Sequence, residues 1–283
     1  MGTETMAQHP ALPPLTEATV AVFGLGEAGS AIAADLAAAG ATVRGFDPAP
    51  VPDVAGVQRV AHPADAVVGA DVVLAITAAA DAPTALAQAR REIPTGTVYA
   101  DLSTAAPEVK QALAADAAGR DLAFVDVALM STVPGRGLHT PALASGVAAD
   151  RYVDWLAAAG VPIEAIGVRA GDAATRKLLR SIVMKGLAGV LIEAMRAADA
   201  AGLAGDTWSD LVGAFETMDE AFVRRLVNGT GPHAVRRLHE MEAAHALVVG
   251  LGLEAPMTSA TVESLRAVPT SGIPPLPDPS GRQ

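Results

Sequence analysis

Residues 21–47, AVFGLGEAGSAIAADLAAAGATVRGFD, constrain the fold more than any other stretch of the chain. An apolar run from Val20 to Phe23 ends in Gly24-Leu25-Gly26-Glu27-Ala28-Gly29. A helical pattern follows with Ile32 and Leu36, then Gly40, a second short strand over 42–46, and an acid, Asp47. Each glycine has its own task in such a motif. Gly24 permits the tight turn out of the strand, Gly26 leaves the backbone open to a diphosphate, and Gly29 lets helix and strand pack closely. The helix start, with Glu27 and Ala28 in its first turn, offers unpaired N–H groups and partial positive charge. Asp47 is placed to accept hydrogen bonds from ribose hydroxyls. Strand, helix and acid in register predict a dinucleotide site.

Composition narrows the rest. A chain of 283 residues, 51% hydrophobic, is long enough for one large core or two modest ones. A formal charge of −11 argues against nucleic acid as a partner, because phosphate backbones are bound by basic surfaces. With no cysteine there are no disulfides, thiolate zinc sites or cysteine nucleophiles, which fits a cytoplasmic enzyme. Residues 1–14 lack the basic and apolar regions of a signal peptide, and Ala-rich runs such as 31–39 are too short to span a bilayer, so no membrane segment is expected. His239 and His245 lack the four-residue spacing of a metalloprotease helix, so no metal is expected either.

After Asp47, strand and helix signals alternate to about residue 168. Strands are expected at 70–76, 97–100, 122–127, 142–145 and 163–167, with helices at 83–91, 107–118 and 150–159. Such alternation implies parallel strands with helices on both faces. From Asp172 to Ala201 there is no proline, and Leu178, Ile182, Leu187, Val190, Leu191 and Ala194 recur at helical spacing. One helix of about 28 residues is long for a globular domain. Further helices are expected over 207–268, broken at 228–232 and 250–256. The expected plan is therefore α/β: a disordered tail over 1–16, then a Rossmann-type parallel-sheet domain over 17–170. A long connecting helix opens an all-α domain over 171–268, and a Pro-rich disordered tail closes the chain over 269–283. A helical domain this small does not close its own core, which points to a homodimer formed through it.

With these elements placed, the chain resembles the β-hydroxyacid dehydrogenase family, which includes 3-hydroxyisobutyrate and 6-phosphogluconate dehydrogenases. Besides the glycine motif, three segments carry the likeness. Asp101-Leu102-Ser103-Thr104-Ala105-Ala106-Pro107 is similar to the family's D-x-S-T-x-x-P segment beside the nicotinamide. Asp126-Val127-Ala128-Leu129-Met130-Ser131-Thr132 stands where the family has its substrate-anion loop. Gly171-x-Ala173-x-x-x-Lys177-x-x-x-Ser181 has the spacing of its catalytic helix. MSTVPGRGLHTPALASG, SIVMKGL and GPHAVRRLHEME are similar to a 6-phosphogluconate-dehydrogenase-like branch with its own C-terminal helical domain.

The resemblance implies an NAD(P)-dependent oxidoreductase acting on a small molecule. Hydride would pass between nicotinamide and the carbonyl or carbinol carbon of a hydroxy or oxo acid, with Lys177 as general acid/base. Thr77, Ser103 and Thr104 are then cofactor contacts, and Ser131 and Thr132 are substrate contacts. Two positions depart from the family pattern: Met130 replaces the anion-binding serine, and Ser181 replaces an asparagine. On an ideal helix Ser181 lies about 40° and Arg180 about 60° around from Lys177, so either can hold a substrate oxygen. Lys185, beside Met184 and Gly186, is the rival for the proton. His239 falls near the family's second lysine, or is an ordinary surface or core histidine. Asp47 favours NAD, since it would repel a 2′-phosphate, while Arg44 keeps NADP open. Two other readings remain: an imine reductase acting on C=N bonds, and a catalytically silent nucleotide sensor or scaffold.

Overall fold

The computed structural model describes residues 10–278, which divide into two compact units, one ending at Arg180 and the other beginning at Ser181. The first unit is built on eight strands: β1 (Thr19–Phe23), β2 (Thr42–Phe46), β3 (Val57–Arg59), β4 (Val72–Ala75), β5 (Val98–Asp101), β6 (Ala123–Leu129), β7 (Ala142–Ser145) and β8 (Ile163–Ala165). They form one sheet in the order β3-β2-β1-β4-β5-β6-β7-β8. Six strands are parallel. β7 pairs antiparallel to β6, and β8 runs parallel to β7, so the wholly parallel sheet expected from the alternation is corrected at this edge.

Alternate residues along each strand serve opposite faces, because the side-chain period of a strand is two. Val20, Val22, Val72, Leu74 and Val125 pack with α1 (Glu27–Ala38) and α5 (Ala149–Ala157) through Ile32, Leu36, Tyr152 and Leu156. Ala21, Phe23, Val73, Tyr99 and Phe124 pack on the other face with α2 (Pro63–Val67), α3 (Ala82–Ala89) and α4 (Pro107–Ala118). Central strands buried on both faces read as continuous apolar runs, which is why they are visible in the sequence. The short β3 and α2 were not expected. With few buried positions, they carry too little periodicity.

The fold begins within the stretch expected as a tail over 1–16. Leu15 is buried in the core, and the Trp155 indole donates to the Pro13 carbonyl at 3.0 Å, so residues 10–16 belong to the fold. Residues 1–9 lie outside the described residues.

The long helix is present as α6 (Asp172–Ala200), 29 residues. Its first turns belong to the first unit and the remainder to the second, so the division lies ten residues beyond the expected one at 170/171. The second unit continues with α7 (Ala204–Glu216), α8 (Glu220–Asn228), α9 (Thr230–Gly250) and α10 (Pro256–Ser271). The break between α7 and α8 was not expected; there Asp219 caps α8 by accepting from Phe222 N at 2.7 Å. Glu193 of α6 does the same for α10, accepting from Met257 N at 2.8 Å and Thr258 N at 2.9 Å. Helix α10 runs through Pro269 to Ser271, past the expected start of a disordered tail at 269. Residues 272–278 have no regular structure, and 279–283 lie outside the described residues.

Candidate functional site

The three glycines of the first turn meet different physical demands. Gly24 has φ +89°, and a Cβ there would lie 2.3 Å from the Ile76 carbonyl oxygen. A Cβ on Gly29 would lie 1.9 Å from the Gly24 carbonyl oxygen. A Cβ on Gly26 would meet nothing within 4 Å. Packing thus demands the first and third glycines, while the second faces open space. Gly26 is also the N-cap of α1, and no side chain caps that helix, so its first N–H groups and the positive end of its dipole are open to an anion.

A cleft of about 450 Å³ opens beside this turn, lined by Gly24, Gly26, Asp47, Thr77 and Asp81 among others. The Thr77 hydroxyl is buried without a hydrogen-bond partner, a state worth about 1–3 kcal/mol to a ligand that can pair with it. Asp47 accepts from Leu25 N at 2.7 Å and Ala49 N at 2.8 Å, tying the glycine turn to the end of β2. Each carboxylate oxygen keeps a lone pair for a further donor. The lining residues include no lysine or arginine. Arg44 donates instead to the Val68 carbonyl, and Arg59 to the carbonyls of Ala49 and Val51. These residues suit a dinucleotide: an open helix start, a shaped cleft, an acid at the second strand end and an unpaired hydroxyl in the wall.

The turns after β1, β4 and β5 leave the sheet at the same edge, since these strands are parallel and adjacent. There a row of polar side chains crosses three strands: Asp101 is in register with Asp126, and Asp126 with Ser145. All three are buried. Between the two acids lies the ammonium of Lys110, itself fully buried, paired with Asp101 and 3.2 Å from Asp126 Oδ1. Asp101 Oδ1 also accepts from the Ser103 hydroxyl at 2.5 Å and Ser103 N at 3.2 Å. The other acid receives the start of α6: Asp126 Oδ2 accepts from Gly171 N at 3.1 Å and Ala174 N at 2.9 Å, while Ser145 Oγ accepts from Ala173 N at 3.0 Å.

Two arms leave this row and meet. Thr104 follows Ser103, Lys177 sits in the second turn of α6, and Lys177 Nζ donates to Thr104 Oγ1 at 2.9 Å. Nearby, the 130–132 loop is held by two guanidinium groups. Arg180 donates to the Met130 carbonyl at 2.8 Å, and Arg136 donates to Ser131 Oγ at 3.1 Å and Thr132 Oγ1 at 3.3 Å.

Other expected site residues are placed differently. Ser181 follows Lys177 by one helical turn and is half-buried. Lys185 is exposed, and so are its apolar neighbours Ile182, Val183 and Met184. His239 lies on α9 in the second unit, exposed, beside an Arg236–Glu240 pair at 2.9 Å. Among the described residues no group of three or more His, Asp or Glu could hold a metal ion, and no helix is long and apolar enough to cross a membrane.

Sequence reasoning missed Lys110, Ser145 and Arg136. For Lys110 the signal was available: it shares the buried face of α4 with Leu113 and Ala117. A lysine at i, with apolar residues at i+3 and i+7, marks a cation on a core stripe.

Residues 19–136 match the NAD-binding domain of 6-phosphogluconate dehydrogenase, and residues 198–268 match a domain of unknown function, DUF1932. One curated relative, an uncharacterized 28.5 kDa protein in the 7S RNA 5′ region of Methanothermus fervidus, is 34% identical over 105 residues. That match covers 36% of this chain and only 41% of the relative's length. Among solved structures, a conserved hypothetical protein from Sinorhizobium meliloti 1021 is 28% identical over 90% of this chain and 91% of its own, with a TM-score of 0.58. An imine reductase variant from Myxococcus stipitatus in complex with NAD+ is 18% identical, covers 90% of this chain and 95% of its own, and has a TM-score of 0.76. A reductive aminase from Aspergillus terreus in complex with NADPH and ethyl levulinate is 20% identical, covers 89% and 93%, and has a TM-score of 0.73. At such identities the last two likenesses are of fold. With the glycine turn and its cleft as described, the chain carries a domain that matches the NAD-binding domain of 6-phosphogluconate dehydrogenase over 19–136, followed by a DUF1932 domain over 198–268.

Proposed function

We propose that the chain is an NAD(P)-dependent oxidoreductase that interconverts a small hydroxy acid and its oxo acid, with Lys177 handling the proton. The observation that carries this reading is the Lys177–Thr104 hydrogen bond, formed by the turn after β5 at the sheet edge where the glycine turn also emerges. When bound, the nicotinamide supplies or takes the hydride. Gly26, Glu27, Ala28, Asp47 and Thr77 would hold the dinucleotide, and Ser103 and Thr104 would border its reactive end. Lys177 gives a proton to the substrate oxygen during reduction and removes it during oxidation, with Thr104 fixing the direction of the ammonium.

Arg136 and Arg180 support an acid as substrate. Each guanidinium has five N–H donors and uses few of them on the 130–132 loop, so both retain donors for a carboxylate beside Ser131 and Thr132. The cleft supports NAD over NADP, because Asp47 and Asp81 would repel a 2′-phosphate and no lining cation offsets them. A homodimer is supported by the apolar side chains that the second unit leaves exposed, including Ile182, Trp208, Val235 and Leu247.

A second reading has its own support. Several proteins of similar fold are imine reductases or reductive aminases, and Met130 stands where the family's anion-binding serine would be. One screen separates the two: oxo acids, hydroxy acids and cyclic imines, each with NADH and NADPH, followed by absorbance, for the natural chain and Lys177→Ala. The proposal expects turnover of an acid with NADH, lowered by about 10²-fold or more in Lys177→Ala with NADH binding retained. Turnover confined to imines would favour the second reading. Full activity in Lys177→Ala would remove the lysine from the chemistry.

A further inference from the structure

The proposed chemistry makes no use of Lys110, yet among the described residues no other lysine ammonium is so thoroughly enclosed. Its side chain is 0% exposed, as are those of Asp101 and Asp126. Burying three charges is costly, and an apolar side chain of similar volume on that helix face would often be at least as stable. Stability alone therefore gives a weak reason for the lysine. Three of the chain's 20 basic residues are lysines, Lys110, Lys177 and Lys185; the others are arginines. At Lys110 the compact ammonium is what the geometry needs. It donates to the Asp101 carbonyl at 2.9 Å and to Asp101 Oδ1, and the same nitrogen lies 3.2 Å from Asp126 Oδ1 as an ion pair.

Those two carboxylates belong to two different arms of the site. Asp101 fixes Ser103, and the chain then runs directly to Thr104. Asp126 receives the N–H groups of Gly171 and Ala174 at the start of α6, within about two turns of Lys177, which reaches Thr104. Without a cation between them, the two acids would be adjacent, buried and alike in charge on neighbouring strands. Repulsion would spread the ends of β5 and β6, and with them Thr104 and Lys177. We propose that Lys110 is a positioning residue of the hydride-transfer site, holding the Thr104 turn and the Lys177 helix in register through Asp101 and Asp126. The inference rests on Lys177 acting as the acid/base.

The test uses the full chain and its small number of lysines. Reductive methylation with 13C-formaldehyde gives resolved dimethyl-lysine signals, assigned with Lys177→Ala and Lys185→Ala. In Lys110→Met, the Lys177 signal should leave its natural position while the Lys185 signal stays. With active sites counted by NADH titration, kcat per site should fall by about 10²-fold on the substrate found in the screen, with KM changed less than about threefold. An unmoved Lys177 signal with an unchanged kcat per site would overturn the inference. Where Lys110→Met yields no folded protein, Asp126→Asn decides it, because the carboxamide oxygen still accepts from the α6 amides while the charge beside Lys110 is lost. Asp126→Asn should move the same signal and lower kcat per site, and natural values for both would overturn the inference. Full turnover in Lys177→Ala would instead defeat the functional reading, whatever Lys110 does.

Discussion

The starts of α1 and α6 have the same electrostatics and opposite fates. Both present unpaired N–H groups and the positive end of a helix dipole at the edge of one sheet. At α6 the chain fills the position itself: Asp126 and Ser145 take the N–H groups of Gly171, Ala173 and Ala174. At α1 no side chain does so, Gly26 faces open space, and a cleft lies alongside. A start filled by the chain's own acids is a fixed support, and here it supports Lys177. One left open has a place for an anion from outside. The start of α10 follows α6, with the Glu193 carboxylate receiving Met257 and Thr258.

Two substitutions put this contrast under strain. The larger effect is expected at the open start. In Gly29→Ala the new methyl would sit 1.9 Å from a backbone oxygen, so the turn must open and the α1 amides must shift. NADH affinity measured by fluorescence titration should fall by at least about 100-fold, near 2.7 kcal/mol. An affinity close to the natural value would mean that α1 does not hold the cofactor.

The smaller effect is expected at a filled start. Burial pushes the Glu193 carboxyl up, but hydrogen bonds from Thr258 and Met257 and the nearby His245 outweigh it and leave its pKa below the ordinary 4.5. A depressed pKa stabilises the fold above that ordinary value, and the contribution fades as pH falls through the folded-state pKa. Glu193→Gln should therefore cost about 1–3 kcal/mol at pH 7 in urea unfolding, and the deficit should shrink as pH drops below about 4.5. A deficit that does not change with pH would show that the carboxylate's charge contributes nothing.

What could be read from the sequence follows the range of the forces involved. The glycine turn was legible because its demands are local, and α4 is found over the expected range, Pro107–Ala118. The row across β5, β6 and β7 was not, because register between strands decides which acids become neighbours. Asp101 and Asp126 were visible only as parts of separate segments, and Lys110 only as one polar residue on an apolar stripe. The antiparallel β7 escaped because strand direction depends on how the 130–141 loop returns, and composition does not carry that. Residues 10–16 escaped because Trp155, which holds Pro13, lies 142 positions away. Thr104 and Lys177 were each singled out by resemblance, and their hydrogen bond needed the fold.

A crystal structure of the chain soaked with NADH bears most directly on all of this. The diphosphate should rest on the backbone amides of Gly26 to Ala28, with the Lys177 nitrogen turned toward the nicotinamide ring. An empty cleft, or a nicotinamide lying far from Lys177, would contradict both the open helix start as the cofactor's seat and the lysine as its partner in catalysis.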